Sequence, residues 1–397
     1  MYGMGVVYIK NTIGFCGTRG LPAHYGGFET AVDNISREFV AMGLSCEVFC
    51  RTRSGFQAAS DNGRTLTYVS GSRVRQLDTI VSSIQTGWRI LRNRSRYSHV
   101  FWFNNANLPG IMLTAIAGVP QSVNVDGLEW RRAKWSAPFK LYYIMASAII
   151  SIMCRRLIAD SISIQTYYRR FFMKRTIYIP YGCPILEKAT RSEEDVLGRY
   201  QLSKAGYFLQ VTRFEPDNLP LEVALGFVSS GLAEEGYKCV IVGFKDLTGY
   251  AGKLKELSGS HGVVVLDAIY DSEVLQVLRQ NCYCYVHGNS VGGTNPALLE
   301  AMTLCPRVMA VDLPFSREVL SSEIGVSFRP LDLPDAFRDA LLLEDQSALM
   351  IQRVSQYYRW YAVGHSYASL ALGRTPDYLA LIEQEVPDDE RKRSELA

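Results

Sequence analysis

The stretch Val286–Met302, reading V-H-G-N-S-V-G-G-T-N-P-A-L-L-E-A-M, decides how this chain is read. Cys282–Val286 leads into it and is a short apolar and aromatic run of strand type. Pro296-Ala-Leu-Leu-Glu-Ala-Met ends it with good helix formers and a proline at a first-turn position. Gly292, Gly293, Thr294 and Asn295 lie between the two. A strand, a glycine-containing loop and a helix start make an anion site, because open backbone N–H groups and the positive end of the helix dipole converge there. Small residues let a phosphate approach the backbone closely. Glu300 lies about one turn inside the helix, where a carboxylate can accept hydrogen bonds from sugar hydroxyls. An ordinary strand-to-helix turn with a surface glutamate has the same local signature, so support must come from the rest of the chain.

Working back from this stretch, the second half alternates strand and helix. Tyr207–Val211 is a strand ending in Thr212-Arg213-Phe214-Glu215-Pro216, followed by a helix near 221–229. Strands at Cys239–Val242 and Val263–Leu266, helices at Lys253–Leu257 and Glu273–Arg279, and a strand at Arg307–Val311 complete the pattern. The first half repeats it. Thr12–Cys16 is a buried strand, the stripe Ala31, Ile35, Phe39 and Val40 marks a helix that Gly43 ends, and Ser45–Arg51 is the next strand. Further strands are expected at Leu66–Val69, His99–Phe103, Ser122–Val125, Leu157–Ala159 and Thr176–Ile179. Strand–helix alternation of this kind predicts parallel sheets covered by helices. The fold class is therefore α/β, with two doubly wound domains and a cleft between them. Pro180-Tyr181-Gly182-Cys183-Pro184 and the polar run after it break the pattern, which places the domains at 1–183 and 184–346. Residues 347–397 form a helical segment, a long helical pattern rich in tyrosine over Ala348–Leu372, and a charged tail.

With 397 residues the chain is long enough for two cores, and 48% hydrophobic and 20% charged residues are ordinary for a soluble globular protein. A net charge of +3 is too small to argue for nucleic acid. Nine scattered cysteines without a C-x-x-C pair favour reduced thiols in the cytosol over a disulfide or zinc scaffold. No signal peptide is evident at the N-terminus, and no metal cluster is expected. Leu141–Cys154 is the most apolar run and is read as a buried helix too short to span a bilayer. Arg155-Arg156 and Arg169-Arg170 beside it leave contact with a membrane surface open.

Asp126-Gly127-Leu128-Glu129-Trp130-Arg131-Arg132-Ala133-Lys134-Trp135 follows an apolar strand, at the sheet edge where ligands of open α/β folds gather. Carboxylates for hydroxyls and indoles for the apolar face suit a sugar; a charged loop anchored by two tryptophans would read alike. Gly14, Gly17 and Gly20 have the spacing of a dinucleotide-binding turn, and Tyr200 and Lys204 that of some dehydrogenases. The second strand ends in Arg51 rather than an acid for a ribose, so a dehydrogenase ranks last.

Several motifs together resemble a known family. They are Gly17–Thr30 (G-T-R-G-L-P-A-H-Y-G-G-F-E-T), Asp126–Trp135, Ile179–Gly182 (I-P-Y-G), Thr212–Pro216 and His287–Met302. In this order they resemble the rhamnosyltransferase-type branch of the retaining family-4 glycosyltransferases. The resemblance implies the GT-B fold, two Rossmann-like domains facing a central cleft with the C-terminal helix packing back on the N-terminal domain. It also implies a donor side made by Arg213 on the diphosphate, Glu300 on the ribose, Gly292-Gly293-Thr294-Asn295 on phosphate or sugar, and Gly26, Gly27 and Arg19 from the N-terminal domain. Asp126, Glu129 and His287 become the catalytic candidates, and Trp130, Arg132 and Lys134 the acceptor contacts. No cofactor and no metal are required. The donor implied is a nucleotide-diphosphate sugar such as dTDP-rhamnose. The acceptor implied is a lipid-linked saccharide in cell-surface polysaccharide synthesis, which places the enzyme in the cytoplasm at the inner face of the membrane.

The chain departs from the wider family at three positions. Gly292 stands where a second glutamate is usual, Asn218 where a lysine is usual, and Asp126 where a histidine is usual. A strand-end histidine bonded to backbone would explain His287 as well as a sugar contact does. A GT-B sugar-nucleotide epimerase and a non-catalytic nucleotide-sugar-binding relative remain the alternatives.

Overall fold

Thr12–Cys16 forms strand β1, a run of five residues buried from Ile13 onward in the middle of an eight-stranded sheet. Its neighbours are β2 (Ser45–Thr52), reached through helix α1 (Gly27–Ala41), and β5 (Tyr97–Phe103). Between these lie β3 (Gln57–Asp61), β4 (Arg64–Ser70) and helix α2 (Asp78–Arg92). Helix α3 (Leu108–Ile116), β6 (Gln121–Asn124), α4 (Ala137–Met153), β7 (Arg156–Ala159), α5 (Ile162–Phe171) and β8 (Ile177–Tyr178) complete the first half. The strand order β3-β4-β2-β1-β5-β6-β7-β8 is parallel except for β3. The computed structural model describes residues 11–22, 26–52, 57–72, 77–125, 128–132, 135–243 and 249–380.

The second sheet is built on β9 (Tyr207–Val211), which follows α6 (Glu193–Arg199). Helix α7 (Pro220–Ser230), β10 (Lys238–Gly243), α8 (Gly249–Glu256), β11 (Val263–Asp267) and α9 (Ser272–Asn281) run to one side. Then β12 (Cys284–His287), α10 (Pro296–Leu304), β13 (Val308–Val311), α11 (Pro314–Leu320), β14 (Val326–Phe328) and α12 (Leu333–Leu341) run to the other. The order β11-β10-β9-β12-β13-β14 is parallel throughout. Strands β9, β10, β12 and β13 are short, largely apolar runs, as a sheet covered on both faces requires.

The chain folds as two units. The first comprises the described residues of Met1–Trp130, Ser136–Gly182 and Arg359–Ala397, and the second those of Arg131–Trp135 and Cys183–Tyr358. The helical pattern over 348–372 is built as two helices, α13 (Ser347–Tyr357) and α14 (Trp360–Ala371). The apolar stripe explains the break. Met350, Val354 and Tyr358 are buried at a four-residue spacing, and the stripe restarts at Trp360, Val363, Tyr367 and Leu370. A shift of two residues turns the buried face by about 200°, which one continuous helix cannot accommodate. Helix α13 packs on α10 within the second unit. Helix α14 packs on α1 in the first, where the Asn124 amide donates to Tyr367 Oη at 3.0 Å and Arg156 Nη1 donates to Leu370 O at 3.0 Å. The C-terminal helix thus returns to the N-terminal unit, as the resemblance implied.

Two further differences have local causes. Strand β3 pairs antiparallel with β4 through Asn62 and Gly63, both at positive φ (46° and 80°), an Asn-Gly hairpin turn. Helix α4 is buried along one side only, through Tyr143, Ala146, Ser147, Ile150 and Ser151, so it is not the fully buried helix expected.

Candidate functional site

In the second sheet, β9 leads to β10 and β11 on one side, while β12 leads to β13 and β14 on the other. The strand order reverses between β9 and β12, and the loops leaving their C-terminal ends flank a topological switch point, the position where open α/β sheets bind ligands. The loop after β9 carries Arg213 and Glu215, and the loop after β12 carries Gly288–Asn295. The sequence candidates Arg213, His287, Gly292, Gly293, Thr294 and Asn295 therefore sit at one edge of one sheet.

The two loops are tied to each other. Ser290 N and Ser290 Oγ both donate to Asp217 O at 2.8 Å. Gln210 Nε2 donates to Asn218 O at 2.9 Å, and Asn218 Nδ2 donates to Arg213 O at 2.9 Å. Asn218, where the family the motifs resemble has a lysine, is thus a buried brace of the arginine-bearing loop. Gly288 lets the loops approach: a Cβ there would overlap Asn218 O and reach 2.9 Å from Gln210 Nε2. Gly288→Ala is expected to cost about 1–3 kcal/mol, the usual range for overpacking. Thermal unfolding checks this; an unchanged midpoint would mean that the loops part without cost.

Arg213 Nη1 stands 3.9 Å from Glu215 Oε1, and its side chain is about one-third exposed. Gly292 adopts φ +145° with open space around its Cα, whereas Thr294 is buried. Asn295 caps α10: its Oδ1 accepts from Ala297 N at 2.9 Å. Helix α10 begins with Pro296, whose missing N–H costs nothing at that position.

Glu300 lies one turn into α10 and is held by Arg279 of α9, Nη2 to Oε2 at 2.9 Å. The Arg279 side chain is only 8% exposed, the Glu300 side chain 36%. Sequence reasoning passed over Arg279. Its one signal is an arginine beside Val277 and Leu278 on an otherwise apolar helix face.

His287 is buried at the end of β12, and burial pushes its pKa down to about 3. It is neutral at physiological pH, and its Nε2 has no hydrogen-bond partner among the described residues. Of the two roles weighed for it, the backbone-bonded histidine is not seen at Nε2. The native state does not take up the proton that the unfolded chain binds below its ordinary value of 6.5. This residue therefore contributes stability above that pH, and the contribution is lost as pH falls toward about 3.

The first sheet has its own switch point between β1 and β5. The loop after β1 starts at Gly17, with φ +94°, where a Cβ would overlap Phe103 O. Gly17 O accepts from Asn107 Nδ2 at 3.2 Å and from Arg51 Nη2 at 3.3 Å. A small hollow lies beside it, lined by polar Thr18, Arg51, Thr86 and Asn107 and by apolar Phe49 and Val69. Gly26 precedes α1 at φ +102°, and no side chain caps the helix. Glu29, in the first turn, accepts from Arg19 N at 2.8 Å, and burial raises its pKa. Arg19 is exposed. Glu29 went unremarked in the sequence, although it is what fixes the Arg19 backbone next to Gly26 and Gly27.

Glu129 and Trp130 lie in a 3-10 turn, with the Trp130 ring 6.3 Å from Tyr167 of α5. Arg132 Nη2 donates to Val291 O at 3.4 Å within the second unit. Asp126, Gly127 and Lys134 lie outside the described residues. Among the described residues, no group of three or more His, Cys, Asp or Glu side chains is placed to hold a metal ion, and all nine cysteines are unpaired and buried.

Residues 95–184 match a family described as a domain of unknown function (DUF1972). No curated protein matches the chain in sequence. Among solved structures, the sucrose-phosphate synthase of Thermosynechococcus elongatus is similar at TM-score 0.74 and 15% identity, over 91% of this chain and 98% of that one. An E. coli structure titled trehalose-6-phosphate, bound with UDP-2-fluoro glucose, is similar at TM-score 0.68 and 10% identity, over 92% and 100%. A trehalose-6-phosphate synthase studied for glycosyltransfer with retention is similar at TM-score 0.66 and 10% identity, over 92% and 100%. Identities this low speak to architecture alone. The chain has the GT-B fold, with two Rossmann-like sheets.

Proposed function

We propose that this protein is a glycosyltransferase that moves a hexosyl group from a nucleotide-diphosphate sugar to a saccharide acceptor with retention of anomeric configuration. The observation that carries this reading is the edge of the second sheet. There a partly exposed arginine, a glycine loop running into a helix and a carboxylate held by a buried arginine flank one switch point. Sugar transfer leaves negative charge on the departing diphosphate and positive charge at the anomeric carbon. Arg213 and the N–H groups after Gly292 suit the first, and Glu300 suits ribose hydroxyls. The similar structures include one holding a UDP sugar and one named for retention, which supports the same chemistry here.

The finer reading is a rhamnosyl donor such as dTDP-rhamnose and a lipid-linked saccharide acceptor, in cell-surface polysaccharide synthesis on the cytoplasmic side of a membrane. It rests on the motifs and on Gly292 and Asn218, where this chain lacks a carboxylate and a cation of the wider family. In this reading residues 1–183 serve the acceptor, with Trp130, Arg132 and Lys134 as its contacts, and residues 184–346 hold the donor. The resemblance assigns Gly26, Gly27 and Arg19 to the donor diphosphate and makes Asp126, Glu129 and His287 the catalytic candidates. No metal takes part.

A panel of nucleotide sugars tests this by thermal shift, because a ligand of the native state raises the unfolding midpoint by mass action. dTDP-rhamnose is expected to give the largest shift, unchanged by a chelator, and transfer to a saccharide should retain the anomeric configuration by NMR. A chain that no nucleotide sugar stabilises, and that transfers none of them, is not this enzyme.

A further inference from the structure

Helix α4 buries one face and leaves an apolar stripe on the other. Leu141, Met145 and Ile152, spaced as i, i+4 and i+11, are 68%, 50% and 87% exposed, with Ile144 beside them. Such spacing puts them along one line of the helix. The buried sides of α4 and α5 meet at Asn105, whose Nδ2 donates to Ser147 Oγ of α4 at 2.9 Å and to Tyr168 Oη of α5 at 2.6 Å. Lys174 Nζ ties the segment after α5 to Cys154 O, at the end of α4, at 2.7 Å. Phe171, the last residue of α5, and Met173, two residues beyond it, are also exposed, Met173 at 92%. One unit thus presents large apolar side chains from two neighbouring helices to solvent, which single scattered surface residues do not do.

Charge says what covers the face. Residues 137–175 hold seven Lys and Arg against one acid, Asp160, which is buried. The whole chain is only +3, so its remainder is net negative. Arg155, Arg169, Arg170 and Arg175 are exposed at the same elements as the apolar residues. A second copy meeting this face across a two-fold axis would bring the two cationic sets together. An anionic lipid surface fits both features: the apolar side chains enter the acyl boundary while the arginines meet headgroup phosphates. Helix α4 has 17 residues, and among the described residues no helix is long and apolar enough to cross a membrane, so contact is along the surface.

We propose that the outer faces of α4 and α5 dock this protein on an anionic bilayer. The inference deepens the membrane placement in the transferase reading, and its test is separable from that reading because vesicle binding needs no donor. Flotation with phosphatidylcholine vesicles, with and without phosphatidylglycerol, tests it. The parent protein is expected to bind the anionic vesicles at least ~10-fold more tightly than the neutral ones, and less so in high salt. Leu141→Asp with Ile152→Asp should weaken binding ~10-fold or more, and Arg169→Glu with Arg170→Glu should erase the preference for anionic lipid. All four positions are exposed, so circular dichroism and the unfolding midpoint should match the parent. Equal binding to both vesicle types, or variants that bind as the parent does, would overturn the proposal. So would a parent dimer in solution that Leu141→Asp with Ile152→Asp converts to monomer, because the face would then belong to a second copy.

Discussion

Replacing Arg213 with alanine is expected to lower turnover about 10²–10³-fold, equivalent to roughly 3–4 kcal/mol of transition-state stabilisation, while the protein still folds. The side chain is about one-third exposed and approaches Glu215 no closer than 3.9 Å, a loose surface pair whose loss costs the fold little. The loop itself is held by other groups, since Asn218 Nδ2 bonds the Arg213 carbonyl and Ser290 bonds Asp217 O. Truncating the side chain therefore removes a cation without collapsing its support. In the proposed reaction that cation meets a diphosphate whose charge grows as the glycosidic bond breaks, so turnover should suffer more than donor affinity. Arg213→Lys keeps the charge but not the two-pronged donor geometry and should fall between. Steady-state kinetics alongside a donor titration separate the effects. A folded Arg213→Ala enzyme with near-normal turnover would remove Arg213 from the chemistry.

The parts of this molecule legible in the sequence are those with local causes. Strand β1 is found at Thr12–Cys16, as read, because a strand covered on both faces is a continuous apolar run. The strand before the glycine loop, expected at Cys282–Val286, starts two residues later and ends one later, at Cys284–His287, because Cys282 closes α9 and both elements are apolar there. The Asn62–Gly63 turn carried a hairpin signal that went unread, in a stretch of polar residues without apolar alternation. The break at Tyr358–Arg359 was hidden because two apolar stripes out of phase look, residue by residue, like one helix-forming run. Arg279 could not be found from spacing. Its partner Glu300 is 21 residues on, across a strand and a loop, and no local pattern records a pairing between α9 and α10.

That pairing makes Glu300→Gln a substitution with two separable consequences. Arg279 is almost wholly buried and Glu300 about one-third exposed, so the two partners do not depend on each other equally. Glutamine keeps a carbonyl that can accept from Arg279, but it leaves a desolvated guanidinium without the carboxylate that faces it. A fully buried pair broken on one side costs roughly 3–5 kcal/mol; with the bond kept and one end open to water, about 2 kcal/mol is expected here. For a unit of this size that lowers the unfolding midpoint by about 4–8 °C. Arg279→Met alone leaves behind a carboxylate that water can reach, and should cost less than Glu300→Gln. The double variant Arg279→Met with Glu300→Gln should be more stable than Glu300→Gln, because it removes the stranded charge, a positive coupling that a double-mutant cycle reads directly. Donor affinity follows a different order. If Glu300 binds the ribose, both variants lacking its carboxylate lose affinity, and Arg279→Met loses some as well through a Glu300 no longer held in place. Lowered stability with unchanged donor affinity would make the pair purely structural, whereas equal midpoints for Glu300→Gln and the double variant would show that Arg279 does not need its carboxylate.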